Sequence, residues 1–377
     1  MNPTLDDSMS YRCLDLFCGA GGLSLGFEMA GGDVLGGIDF DRDSILSYKN
    51  NFPRAKYTEN ASLEDWTAPS ELVGQIEVLI GGPPCQGFSL ARGRRFVDDP
   101  RNSLYKEFIR VLRTIRPRWF VMENVQGILN IGGGIIRQQI FEDFFDAGYR
   151  VDVRVVDMAQ YGVPQRRKRA IFVGNCLDVD FVWPSATHAR RDIVFNHGRS
   201  SLDLPDPARA LPEVAVNEAL SDLHLPQGNY FSHRANSKMR GPRNRDAHVD
   251  PAFTLRVRGD EFALCEIPAE SSFIPGDRPH EPTFVRQPAN EFQRIMQTYV
   301  PRWKDRSAQG MERREAAIQK LEGTRKLTMR EQARLQSFPD AFTFIGTPVS
   351  QSRQIGNAVP PIFGRALFSA IRSQLEG

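Results

Sequence analysis

The chain has 377 residues, 41% of them apolar and 25% charged, which is room for two domains with full cores and excludes a collagenous or wholly disordered protein. No run of about 18 apolar residues occurs, so no helical membrane span is expected; the polar start MNPTLDDSMSYR argues against a secretory signal and for a cytoplasmic location. The formal charge of +2 hides a skew: residues 1–80 hold 5 Lys/Arg against 13 Asp/Glu, so the later chain is basic and suits a polyanionic partner.

The predicted elements alternate through the first half of the chain. Tyr11–Phe17 is an apolar run that ends in the glycine turn CGAGG and leads into a helix through Met29. Val34–Ile38 is a second strand, followed by a helix over Asp41–Asn50. Glu77–Ile80 is a third strand and ends in GGPPC. Ser103–Arg116 carries Leu104, Phe108, Val111, Leu112 and Ile115 at helical spacing. Trp119–Met122 is a fourth strand and Ile135–Ala147 another helix. Such alternation means βαβ units, hence an α/β fold with an open parallel sheet and helices on both faces. Ligands of these sheets bind beyond the carboxyl ends of the strands. Arg150–Val156 and Arg169–Val173 are two more β-rich runs, joined by a basic link. Residues 176–323 are rich in Pro, Arg, His and Asn with weak periodicity, and suggest a smaller irregular domain. Helical pattern returns at Leu327–Gln336 and Pro361–Leu375. The expected division is therefore 1–175, 176–323, and a C-terminal segment 324–377 that returns to the first domain.

Four stretches carry chemistry. In Asp15–Gly22 the glycines between strand and helix let backbone approach a ligand closely, at a helix N-terminus that favours negative charge. Their spacing, G-x-G-G, departs from the dinucleotide pattern G-x-G-x-x-G. Asp39 ends the next strand, where a carboxylate can hold ribose hydroxyls, and Phe40 beside it offers a face to an adenine ring. A nucleoside cofactor lacking phosphates fits these features, although tight strand–helix packing alone would also explain the glycines. In Gly81–Ser89, two prolines present Cys85 on a stiff turn, with Arg92, Arg94 and Arg95 near enough to favour a thiolate. A buried structural cysteine is the competing reading. Glu123 leaves a strand of buried residues, where a carboxyl group can act as a proton donor, or simply as a cap. In Gln165–Arg169, alternate residues share one face as the chain enters a strand, so Arg167 and Arg169 are directed inward together. The five cysteines (13, 18, 85, 176 and 265) form no C-x-x-C pair and the histidines no ligand spacing, so neither a disulfide framework nor a metal site is expected.

With Gln354–Pro361 (Q-I-G-N-A-V-P-P) following in order, the chain resembles the DNA cytosine-5 methyltransferases of bacterial type over residues 11–175 and 324–375. Single motifs are modest signals, but P-P-C-Q, E-N-V, Q-R-R-x-R and G-N-A-V-P-P in this order are specific. The resemblance implies a Rossmann-like methyltransferase sheet with S-adenosyl-L-methionine as cofactor and double-stranded DNA as partner. It makes Cys85 the nucleophile toward C6 of a cytosine rotated out of the duplex, with Glu123 on N3 and the exocyclic amine. It makes Arg167 and Arg169 the pair that orients base and acid. The cofactor would lie on Phe17, Gly19, Ala20, Gly21, Gly22 and Leu23, with Asp39 on the ribose and Phe40 against the adenine, and with Leu104, Asn357 and Ala358 as further contacts. Members often have Gly-Asp-Ile at the adenine edge where this chain reads Asn60-Ala-Ser-Leu63, leaving Ser62 and Leu63 as the candidates there.

Residues 176–323 would then read the target. Phe231–Arg245 carries five basic residues and no acid, which suits phosphate contact. Arg234, Arg243, Arg245 and Thr254 are the candidate DNA contacts in this stretch, joined by Gln86, Ser89 and Arg94 beyond the nucleophile. The resemblance further implies a restriction–modification methylase that acts as a monomer beside a cognate endonuclease. A tRNA cytosine-5 methyltransferase is the alternative within the family. A silent DNA-binding module would not need Cys85, Glu123 and Arg169 together, and an NAD dehydrogenase leaves P-P-C without a purpose.

Overall fold

The computed structural model describes residues 11–84, 104–190, 210–223, 230–233, 243–255, 262–265 and 324–376, with only the backbone of 230–233, 243–245, 262–265 and 324–326. The elements of the first half are β1 (Arg12–Leu16), α1 (Gly22–Met29), β2 (Asp33–Asp39), α2 (Arg42–Asn51), β3 (Tyr57–Asn60), β4 (Val78–Gly81), α3 (Leu104–Ile115), β5 (Trp119–Val125), α4 (Ile135–Asp146), β6 (Arg150–Asp157) and β7 (Lys168–Asn175). Their seven strands form one sheet in the order β3-β2-β1-β4-β5-β7-β6.

Strands β1 to β5 pair in parallel, as expected from the alternation, but β7 runs antiparallel to both β5 and β6. The sheet is therefore mixed: parallel over the strands that alternate with helices, and antiparallel at β7, whose direction the alternation did not reach. The reason is the connection: the ten residues between Asp157 and Lys168 are too few for the crossover that a parallel neighbour needs, so the chain turns back on itself.

Each face of the sheet is covered. Along β5, Trp119 and Val121 point into a cluster with Phe27, Phe363 and Phe368, while Phe120 and Met122 point into another with Phe108, Leu112 and Phe144. This period of two buries the strand on both sides and accounts for its unbroken apolar run.

Beyond β7 come two short strands, β8 (His188–Ala189) and β9 (Leu211–Pro212), and the helical turn α5 (Val216–Leu220). The region expected to be irregular holds more order than its periodicity suggests. Strands β10 (Tyr230–His233), β11 (Arg243–Asp246), β12 (Phe262–Cys265) and β13 (Thr324–Lys326) form an antiparallel sheet in the order β11-β10-β12-β13. Its last strand lies past residue 323, so this sheet draws on both sides of the expected boundary.

The C-terminal segment supplies α6 (Met329–Leu335), α7 (Pro348–Asn357) and α8 (Pro361–Glu376). Helix α8 packs on α1: a Cβ on Gly26 would lie 2.7 Å from Gly364 Cα, and Tyr11 donates its hydroxyl to Phe368 O at 2.8 Å. Thr328 caps α6 within a capping box closed by Glu331.

Candidate active site

A cavity of about 510 Å³ opens beyond the carboxyl ends of β1, β2, β4 and β5, where ligands of such sheets bind. Its wall contains Phe17, Gly19, Ala20, Gly22, Leu23, Asp39, Phe40, Asn357 and Ala358 from the expected cofactor set, and Glu123, Arg167 and Arg169 from the expected catalytic set. Residues more than 340 positions apart in sequence thus share one space.

The glycine turn is shaped by close approach. A Cβ on Gly22 would lie 2.3 Å from Val359 O, so the turn can meet the α7–α8 junction only without a side chain there. Gly21 takes φ +99 and would drive a Cβ to 2.3 Å from the Phe52 ring. Phe17 holds a left-handed φ of 57, which is rare for a bulky residue and found where a turn is tightly determined.

Asp39 is tied to that turn. Its Oδ2 accepts the Gly19 N–H at 2.9 Å and its Oδ1 the Asp41 N–H at 2.8 Å. Burial raises its pKa above the ordinary carboxylate value, against the pull of these two bonds. Phe40 is 66% exposed at the cavity edge, a free aromatic face.

At the other end of the cavity, Glu123 Oε1 receives Arg169 Nε at 2.8 Å. A Cβ on Gly82 would lie 3.2 Å from Glu123 Oε2, so the carboxylate stands beside the G-G-P-P turn. Asn124 Nδ2 donates to Pro83 O at 3.0 Å and pins that turn. Cys85 itself, with Gln86, Ser89, Arg94 and Arg234, lies outside the described residues. Arg243 and Arg245 sit on β11, paired across from His233 and Phe231. Thr254 donates its hydroxyl to Arg166 O at 2.6 Å.

The two arginines have different partners. Arg169 serves Glu123, whereas buried Arg167 donates to Leu255 O, Gly356 O and Asn357 O at 3.2, 3.0 and 3.3 Å. Burial, with Arg169 close by, pulls the Arg167 pKa down to about 9.

Four members of the expected cofactor set are not on the cavity wall. Gly21 abuts the Phe52 and Tyr48 rings instead. Leu63 is buried in the core with its carbonyl bonded to Arg110 Nη2 at 2.7 Å, and Ser62 precedes it. Leu104 begins α3, half-buried. Conversely, the wall includes residues that the sequence reading missed. Asp15 was in plain view beside the glycine turn. It is buried and bonded to Ser24 Oγ at 2.6 Å, and burial pushes its carboxyl up to about 8. Asp41 and Arg353 form an ion pair on the wall, and nothing local in the sequence marks Arg353.

Among the described residues there is no group of three or more His, Cys, Asp or Glu that could hold a metal, and no helix long and apolar enough to cross a membrane. The model of the C-5 cytosine-specific DNA methylases matches residues 11–373. The chain is similar to the type II methyltransferase M1.HphI of Haemophilus parahaemolyticus, at 32% identity over 96% of this chain and 87% of that one. It is also similar to M.NgoPII of Neisseria gonorrhoeae, at 30% identity over 100% and 98%. A Spodoptera frugiperda DNMT2 structure shares the fold, with a TM-score of 0.61 at 16% identity over 98% of this chain and 100% of that one. The chain belongs to the C-5 cytosine-specific DNA methylase family and is a DNA (cytosine-5-)-methyltransferase.

Proposed function

We propose that this protein methylates C5 of a flipped-out cytosine in a specific short duplex site through a covalent bond between Cys85 and C6, as the methylase of a type II restriction–modification system. The observation that carries the reading is the Glu123–Arg169 pair standing beside the G-G-P-P turn on the wall of the same cavity as the glycine turn.

The cavity suits S-adenosylmethionine. Its volume is in the range of small-molecule sites, its floor is a glycine turn too close to Val359 O for a side chain, and Asp39 and Phe40 supply a carboxylate and a ring at one end. Gly19, Gly22, Asp39, Phe40, Asn357 and Ala358 would hold it. Bound there, it supplies an electrophilic methyl group.

The chain's own residues do the rest. The Cys85 thiolate adds to C6 and makes C5 a nucleophile. Glu123 holds N3 and the exocyclic amine, and Arg169 fixes the Glu123 carboxylate in place. Asn124 holds Pro83 and with it the turn that presents Cys85. C5 then bonds the methyl group as the bond from that group to the sulfonium breaks; the C5 proton passes to solvent, and the electron pair it leaves expels the Cys85 thiolate and restores the aromatic ring.

Duplex DNA is favoured over tRNA by the stretch 176–323, which offers room for a groove-reading domain and a basic segment for phosphates. Type II relatives also favour a cognate endonuclease acting on the same site. Tritium transfer from labelled S-adenosylmethionine to phage DNA or to tRNA separates the readings, and label on tRNA alone would refute ours. Cys85→Ser should abolish transfer and trapping on 5-fluorocytosine DNA while duplex binding persists. Wild-type turnover in that variant would remove Cys85 from the mechanism.

A further inference from the structure

Residues 165–167 join parts of the chain that are far apart in sequence. Gln165 donates to Leu335 O at 3.1 Å and to Gln336, whose own side chain donates to Ile355 O and Ala358 O at 2.9 and 2.7 Å. The Gln165 side-chain oxygen Oε1 accepts the Leu255 N–H at 2.9 Å. Arg166 pairs with Asp157 and Glu213, and its backbone N–H donates to Ala252 O at 2.9 Å.

The Gln165 side chain reaches the end of α7 only through Gln336, whereas Arg167 holds both Leu255 and that end itself. One terminal nitrogen holds Leu255 O, next to Thr254, and the other holds Gly356 O and Asn357 O. The latter two carbonyls belong to the end of α7, where the helix dipole is negative and suits a cation. The side chain is 1% exposed and has no ion-pair partner among the described residues. Its Nε is buried without a hydrogen-bond partner, so the three carbonyls on the terminal nitrogens alone fix the guanidinium. Displacing any one of them disturbs the other two. Asn357 lies on the cavity wall, whereas Leu255 belongs to the stretch assigned above to target recognition.

We propose that Arg167 is a positioning residue that couples the two ligands: cofactor bound against Asn357 and Ala358 steadies the Arg167 grip on Thr254–Leu255, and DNA held by that segment steadies the cofactor end in return. The coupling is reciprocal by linkage. It rests on the reading that the cavity holds S-adenosylmethionine and that 252–255 faces DNA.

The methylated site is first read by bisulfite sequencing of treated phage DNA, and a short duplex carrying it becomes the probe. Calorimetry then gives the S-adenosylhomocysteine dissociation constant with and without saturating duplex, for the wild type, Arg167→Met and Arg167→Lys. Duplex should tighten wild-type binding on the order of tenfold. That ratio should fall to near one in Arg167→Met and to less than roughly half the wild-type value in Arg167→Lys, because a single ammonium cannot span carbonyls in two directions. General structural damage would weaken each affinity without removing the ratio. A ratio retained in a folded Arg167→Met, or a wild-type ratio of one, overturns the proposal. If neither variant folds, hydrogen exchange on the unaltered protein decides. S-adenosylhomocysteine alone should slow exchange at the Ala252 and Leu255 amides, and unchanged exchange overturns the coupling. A wild type that binds no S-adenosylhomocysteine at all refutes instead the cofactor reading beneath it.

Discussion

Asp39 has two tasks, and replacing it should reveal both. Its carboxylate accepts the Gly19 N–H and the Asp41 N–H at 2.9 and 2.8 Å, so it fixes the glycine turn and the start of α2 before any ligand arrives. Hydrogen bonds to a charged group are worth about 1.5–3 kcal/mol each. Cavity water can replace part of that, which leaves about 2–4 kcal/mol for the pair. At about 2–4 °C per kcal/mol for a domain of this size, Asp39→Ala should lower Tm by roughly 5–15 °C. Asp39→Asn keeps one acceptor oxygen and should lose about half as much. Affinity for S-adenosylhomocysteine should fall further than a loosened turn alone would explain, by tenfold to hundredfold on the order of 1.4–2.7 kcal/mol, because the ribose loses its carboxylate as well. Scanning calorimetry and titration calorimetry on the same samples separate the two effects. An Asp39→Ala protein whose Tm falls but whose dissociation constant stays within about twofold would place the ribose elsewhere and refute the reasoning.

Asp15 gives a pH test. Burial raises its carboxyl to about 8, so its contribution to stability is full below the unfolded value of 3.8 and is lost as pH rises through about 8. Asp15→Asn should therefore gain Tm relative to wild type as pH is raised from 5 to 8 in thermal scans, and a constant difference would count against the buried carboxyl. Gly22→Ala would press a Cβ to 2.3 Å from the Val359 backbone oxygen, whereas Gly19→Ala meets nothing within 4 Å and bears only the strain of φ +54. S-adenosylhomocysteine titration should show more than about tenfold loss for the first and a smaller loss for the second; the reverse order would mean that the turn does not contact the ligand through Gly22. Neutralising Arg243 and Arg245 should weaken binding to all duplexes alike and flatten the salt slope by up to about two units, read by fluorescence anisotropy across salt concentrations. A change in sequence preference without a change in slope would make them base readers.

What could be read from the sequence follows from what each segment buries. Strands β1, β2, β4 and β5 are apolar runs because both of their faces are covered. Strand β3 was missed because Tyr57–Asn60 buries only Thr58 and so shows neither an apolar run nor alternation. Strand β11 reads Arg-Asn-Arg-Asp, with no apolar face to announce it. Glycines, prolines and the E-N-V and Q-R-R stretches mark the site because turns and buried charges need particular residues. Arg353 has no such signature of its own, although the motif that begins at Gln354 follows it on α7, since its side chain reaches the cavity only through tertiary packing.

The direction of β7 shows why the site and the topology have to be argued together. The spacing directs Arg167 and Arg169 inward together, and the alternation makes β1 to β5 parallel, but neither says which way β7 runs. In a parallel β7, Arg169 would stand at the amino end of its strand, the far end of the sheet from the cavity. Running antiparallel, β7 begins where β5 ends, and Arg169 pairs with Val125 while Ile171 pairs with Glu123. Arg169 and Glu123 therefore lie diagonally across the two strands on one face, within reach of a long side chain, which is how residues 46 apart meet at 2.8 Å. The short 158–167 link that forces the reversal also leaves Gln165–Arg167 at the mouth of the sheet, where Arg167 meets Leu255 and Asn357. One turn of chain thus sets the acid's partner and places the clasp between the recognition segment and the cofactor end.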